Sequence, residues 1–194
     1  MVSGAAGRAK ASEEEFDRRG RGHDFPPAST SLEPFLQHGS DDEFRAMIYN
    51  FIAFSTMMLQ AREAFAERIG VSAPQYSIIV AIGEAGRTTV GGIAERLHVS
   101  SPFVTAEVGK LIKRGIVERH PNGEDRRSSW LVLSKAGIDL VRQVAPLRRA
   151  TNDTIFGSLD PKQAADLRNL IATLVQDGRK ALYQVKFQDP HRAD

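Results

Sequence analysis

The feature that most constrains this chain is a double change of hydrophobic period between residues 72 and 137. Up to Gly115 the apolar residues recur every three or four positions, from Ile116 to Leu133 they alternate, and after Ser134 the helical spacing returns. Ile116-Val117-Glu118-Arg119-His120 and Ser129-Trp130-Leu131-Val132-Leu133 therefore read as two short strands. Pro121-Asn122-Gly123-Glu124 supplies the turn between them.

The flanking helices carry their own start and stop signals. Phe44, Met47, Ile48, Phe51, Phe54, Met58, Phe65 and Ile69 predict one long amphipathic helix near 42–69, ending at Gly70. Ser72, with Gln75 three residues on, reads as a capping box for a helix that bears Tyr76, Ile79, Val80 and Ile82 and stops at Gly86. A short helix follows near 90–97, with Ile93, Ala94 and Leu97 inward. His98-Val99 then makes a turn, and Ser100 caps a helix reaching Gly115 that buries Val104, Val108, Leu111 and Ile112. Beyond the strands, Ser134 caps a helix with Ile138, Val141, Val144 and Leu147. Pro146 inside it is expected to bend it or remove one hydrogen bond. Asp160-Pro161-Lys162-Gln163 is a strong helix start. The last helix repeats Leu167, Ile171, Leu174, Gly178, Ala181 and Val185 in the four-three alternation of a coiled-coil seam. The expected fold is thus mainly α, in the order α-α-α-α-β-β-α-α.

Composition narrows the function. The 194 residues hold no cysteine, which removes disulfides, Cys-ligated zinc, thiol nucleophiles and cysteine redox sensing together. The longest apolar run is residues 78–82, far short of the roughly 18 that span a bilayer, and no membrane association is expected. Residues 1–4 begin no hydrophobic leader segment, so a cytoplasmic, nucleoid-associated location is expected. A net charge of +2 permits nucleic-acid binding without arguing for it. Residues 1–40 mix Gly with Arg8, Lys10, Arg18, Arg19 and Arg21, offset by Glu13, Glu14, Glu15 and Asp17. They read as a mobile, solvated extension, with order near 32–36.

Two short helices joined by a tight turn and followed by a two-stranded ribbon is the order of a winged helix-turn-helix. With Val104, Val108 and Leu111 inward, Ser101, Pro102, Thr105 and Lys110 occupy the opposite stripe of the helix that Ser100 caps. Small and polar side chains near its start suit base edges in a major groove. Periodicity alone fits a plain helical bundle equally well. Arg126-Arg127 after Asp125, in the ribbon loop, sharpens the reading.

Residues 90–137 resemble a MarR-type transcriptional regulator. The matching stretches are Ile93-Ala94-Glu95-Arg96-Leu97 with Val99-Ser100, and Leu111-Ile112-Lys113-Arg114-Gly115-Ile116-Val117. Most specific is Asp125-Arg126-Arg127, three spacers, then Leu131-Val132-Leu133-Ser134-Lys135-Ala136-Gly137. The resemblance implies a homodimer on a pseudo-palindromic operator in double-stranded DNA, with dimerisation helices at 41–72 and 134–187, a DNA-binding domain at 73–133 and a tail at 188–194. The wide apolar stripes of the first and last helices agree, although an intramolecular bundle would also use them. By the same resemblance Arg127 enters the minor groove, where a guanidinium suits the concentrated negative potential, and Asp125 braces it. Arg126 is assigned to phosphate. Lys113 and Arg114 fit a phosphate contact and a simple helix C-terminus equally well. This sequence departs from the family pattern at Ala106, often basic, and at Glu107, often larger and apolar. Recognition would then lean on Ser101, Thr105 and apolar contact from Pro102 or Ala106.

The resemblance further implies release of DNA by a small ligand, such as an aromatic carboxylate. Arg45, Tyr49, Phe54, Met57, Met58 and Tyr76 are candidate walls and charge for it, with Arg62 a further cation, although Met and Phe at helical spacing are more often core. No cofactor or metal is expected. His23, His38, His98, His120 and His191 are scattered, with no i, i+4 pair. An enzyme is not expected either. Residues 86–91 have Walker-like glycine spacing, but Gly92 stands where the lysine belongs. The rival readings are a winged-helix protein-interaction module and a regulator that needs no ligand.

Overall fold

The computed structural model describes residues 27–123 and 127–187. Its helices are α1 (Asp42–Arg68), α2 (Ala73–Ala85), α3 (Val90–Leu97), α4 (Ser101–Lys113), α5 (Lys135–Phe156) and α6 (Pro161–Phe187). One antiparallel ribbon, β1 (Val117–Pro121) and β2 (Ser129–Leu133), stands between α4 and α5. The order is the expected one, with a short 3-10 turn at Glu33–Phe35 added ahead of α1. The chain divides into two units, residues up to Ala61 and residues from Arg62 onward.

In the first unit a strap leads into α1. Ser29 donates to Asp41 Oδ2 from both its backbone nitrogen (2.6 Å) and its hydroxyl (2.5 Å). Gln37 and Ser40 exchange backbone hydrogen bonds of 2.8 Å around His38 and Gly39, both at positive φ. That is the geometry of a tight hairpin turn, where glycine is the least strained residue. Phe35 lies against Phe44 with ring centroids 5.1 Å apart. The buried Asp41 carboxylate also meets Arg45 Nη1 at 2.7 Å, and its carbonyl accepts the first helical bond from Arg45 N. Asp41 and Asp42 thereby place negative charge at the positive end of the helix dipole.

The second unit is built around Ile78, Ile79 and Ile82 of α2, which meet Ile93 of α3, Val104, Val108 and Leu111 of α4, and Ile116, Val117 and Leu131 of the ribbon. The expected caps are present. Ser72 and Gln75 form the reciprocal box, and Ser100 and Ser134 accept from the third residue of their helices. Asp160 and Gln163 exchange hydrogen bonds of 2.8 and 3.0 Å. Pro146 sits within α5, which continues unbroken through it. Because proline lacks an N–H, one bond of that ladder is necessarily missing.

Two details lie beyond the periodicity. The first strand begins at Val117 and runs to Pro121, one residue later than the alternation predicts, because Ile116 N is spent on Leu111 O (3.0 Å), closing the end of α4. Pro121 is tolerated at the end of a two-stranded ribbon, where a missing donor costs little. Thr88 forms a bridge with Leu131, with bonds of 3.1 and 2.7 Å, so the base of the ribbon is stitched to the segment before α3.

Candidate nucleic-acid interface

The helix expected from the sequence to meet base edges is α4. Thr89 caps α3 by accepting from Gly92 N at 3.1 Å, and His98 ends α3 in the left-handed conformation. Two residues later Ser100 opens α4. That short connection fixes the angle between the helices. The inward stripe is the expected one, with Val104, Val108 and Leu111 fully buried. Ser101, Pro102, Thr105, Ala106 and Lys110 are exposed on the other side. Thr105 Oγ1 donates to Ser101 O at 2.9 Å, which leaves the hydroxyl oxygen outward as an acceptor.

Of these side chains, Ser101 and Thr105 line one side of a groove of about 680 Å³, which Pro102, Ala106 and Lys110 do not border. Thr89, Val90 and Gly91 at the start of α3 form its floor, and Arg119, Asn122, Arg127 and Ser128 of the ribbon form the far wall. The groove therefore combines the N-terminal ends of two helices, which attract anions, with two guanidinium groups. Asn122 is buried and donates to Ser128 Oγ at 2.7 Å, tying the two limbs of the ribbon together below its tip. Arg87 lies over the Trp130 ring of β2, 4.7 Å from its centroid. Arg127 is exposed at the ribbon end, beside the predicted helix stripe. Asp125 and Arg126, predicted to brace it and to meet phosphate, lie outside the described residues.

Sequence reasoning overlooked Thr89, Arg119 and Asn122. A Thr directly before a helical run is a cap signal, and Arg119 sits at an outward position of an alternating strand, so both were legible. The partnership of Asn122 with Ser128 depends on strand register and was not. Lys110 stands on the predicted stripe, but its ammonium is held by Glu107 at 2.6 Å. That contact, more than burial opposes it, keeps the Glu107 carboxyl below the usual carboxylate range.

The candidate effector residues are not gathered into one site within either unit. Arg45 is engaged by Asp41 and Asp42 (2.5 Å). Tyr49 and Met57 are exposed on α1, and Phe54 and Met58 are half-buried there. Tyr76 belongs to the core of the second unit, with its ring 5.8 Å from Phe65. Burial pushes its hydroxyl above the usual tyrosine value, opposed by the nearby Arg148. Arg62 does border a cleft of about 220 Å³, with Pro74, Ser77, Leu97, Val99 and Phe103. Its Nε is buried and meets no hydrogen-bond partner among the described residues. No group of three His, Asp or Glu side chains comes together as a metal site among them.

Comparison with known proteins bears on this arrangement. The model of the MarR family matches residues 69–128, the stretch that carries α2, α3, α4 and the first strand of the ribbon. The uncharacterized HTH-type transcriptional regulator Mb0904 of Mycobacterium bovis is 30% identical, over 46% of this chain and 71% of its own length. For three other curated regulators the match spans 57% to 74% of their length. The fold is similar to AbsC, a MarR family transcriptional regulator from Streptomyces coelicolor. That match has a TM-score of 0.64 and 20% identity, covering 72% of this chain and 96% of the other. It is similar also to a mutant MarR from E. coli complexed with operator DNA, at TM-score 0.58 and 19% identity, covering 69% and 96%. These are regulators and not enzymes. The chain belongs to the MarR family of transcriptional regulators.

Proposed function

We propose that the chain binds double-stranded DNA as a homodimer, each copy laying α4 in a major groove and Arg127 in the neighbouring minor groove of a pseudo-palindromic operator. The observation that carries this reading is the groove itself. Ser101 and Thr105 at the start of α4 face Arg119 and Arg127 across a cleft floored by the start of α3. Base-reading and phosphate-neutralising groups thus share one surface. The operator-bound E. coli relative supports the choice of partner.

Dimerisation is supported by surface that each unit leaves uncovered. In the second unit α6 has no buried residue, and it exposes Leu170, Leu174, Leu182 and Val185. In the first unit α1 exposes Met47, Ile48, Phe51 and Ile52. Apolar area of this extent on helices is the usual mark of an interface.

The regulator acts as a repressor released by a small effector. The Arg62 cleft supports an anionic ligand with an apolar body: Leu97, Val99 and Phe103 offer apolar walls, and the guanidinium has a buried donor to spare. Phe103 belongs to α4, so occupancy there has a direct route to the reading helix. A cytoplasmic, nucleoid-associated location goes with this role. No described helix is long and apolar enough to cross a membrane.

Anisotropy titrations with random-sequence duplex at several salt concentrations test the reading. Affinity that falls steeply with salt is expected from a dimer with two arginine-lined grooves. A protein that ignores duplex at low salt, or sediments as a monomer at micromolar concentration, refutes it.

A further inference from the structure

Glu107 is the charged residue among the buried positions of α4, beside Val104, Val108 and Leu111, and is 8% exposed. Its carboxylate is fully engaged. Oε2 accepts from Gln75 Nε2 at 3.0 Å and Oε1 from Lys110 Nζ at 2.6 Å. The Gln75 amide is used at both ends, because its Oε1 accepts from Ser72 N at 3.4 Å and from Arg114 Nη1 at 3.5 Å. Arg114 Nη2 closes the chain on Gly70 O at 2.9 Å. One polar network thus runs from the α1–α2 junction through the cap of α2 to the middle and the C-terminal end of α4.

Buried polar groups of this kind are costly unless satisfied, and when satisfied they specify one arrangement over near alternatives. An apolar side chain at 107 would pack against the same core and slide more easily. The carboxylate accepts hydrogen bonds in particular directions and does not. Lys110 is the other consequence. Its side chain is 61% exposed on the DNA-facing stripe, yet its charge closes an i,i+3 pair with Glu107.

We propose that Glu107 is a positioning residue of the reading helix: through Gln75 it sets α4 against the α1–α2 junction, and through Lys110 it withholds a cation from DNA phosphate. The proposal rests on the DNA-binding reading above. It places sequence discrimination on Ser101, Thr105 and their neighbours, and it lowers attraction to arbitrary duplex.

The test uses the full chain, random-sequence duplex as probe, and the substitutions Glu107→Gln, Glu107→Leu and Lys110→Ala. Glu107→Gln keeps an acceptor for Gln75 and frees Lys110. The slope of log affinity against log salt should steepen by about 0.9 per protomer, the increment for one added phosphate contact. Lys110→Ala should leave the slope unchanged. Glu107→Leu also cuts the tie to Gln75, and amide exchange across α4 should accelerate about tenfold or more, whereas Glu107→Gln stays near the parent. An unchanged slope in Glu107→Gln, with the parent protein binding duplex, overturns the withheld-charge half. Unaltered α4 exchange in Glu107→Leu overturns the positioning half. If the parent ignores duplex, the DNA-binding reading and the withheld-charge half fall together, while exchange still decides whether Glu107 pins α4.

Discussion

Replacing Ser134 by alanine probes the joint where the ribbon, the end of α4 and the start of α5 meet. The Ser134 hydroxyl does two jobs. It accepts from Gly137 N at 3.1 Å, capping α5, and it donates to Gly115 O at 2.6 Å, with Ile116 O at 3.1 Å as a second acceptor. In Ser134→Ala, Ile116 O keeps the Ser134 backbone donor, whereas Gly137 N and Gly115 O each lose a partner. The bond to Gly137 N is buried, and orphaning a buried donor costs about 1–3 kcal/mol. Gly115 is exposed enough for water to replace its lost donor in part, which adds about 0.5–1 kcal/mol. The expected loss is therefore about 2–3 kcal/mol, at the upper end of measured N-cap deletions. Urea unfolding measures this, at one fixed protein concentration because the stability of the proposed dimer would depend on it. Ser134→Thr keeps the hydroxyl and should lose less than half as much. A loss below about 0.5 kcal/mol in Ser134→Ala, at unchanged m-value, would refute the assignment of two simultaneous roles.

Three further outcomes are expected. Gly137→Ala brings a methyl to 2.3 Å from Ile116 O, a backbone atom that cannot swing aside, so α5 must shift and stability should fall by about 1–3 kcal/mol or more in the same unfolding assay. Arg127→Ala should weaken binding to a duplex selected by the parent protein by about 1–3 kcal/mol, with sedimentation showing the dimer intact; equal affinity counts against the ribbon contact. The third outcome concerns acid. The side-chain and then the backbone hydrogen bond from Ser29, with Arg45 beside them, hold the Asp41 carboxyl below its ordinary 3.8. A carboxylate depressed on folding contributes stability above its unfolded pKa, and that contribution is lost as pH falls through the folded value. The strap should stay docked at pH 3.8 and above and release as pH falls through the depressed Asp41 value, and Ser29→Ala should move the Asp41 midpoint, followed by carbon NMR, up toward 3.8.

How much of this was legible beforehand differs from residue to residue. Ser72, Ser100, Ser134 and Asp160 announce their helices because a cap is a contract among four neighbouring residues, and local sequence contains all of its terms. Glu107 shows the opposite. Its acidity is visible in the chain, but its partner Gln75 lies 32 positions away, so the same residue reads from sequence as an anomaly and in the fold as part of a satisfied network. Arg45 is similar in kind. It was a candidate anchor for a ligand carboxylate until Asp41, itself held by Ser29, turned out to occupy it.

What the sequence determined by itself is the order of elements, their ends and the inward face of each helix, because these follow from backbone periodicity and contacts within a turn or two. Only the tertiary structure decided which polar groups face one another: Thr88 with Leu131, Asn122 with Ser128, Gln75 with Glu107, and the two helix starts with Arg119 and Arg127. Burial is a property averaged along a stripe and survives in composition. A hydrogen bond is a directed pairing, and its second member is chosen by how the chain closes on itself.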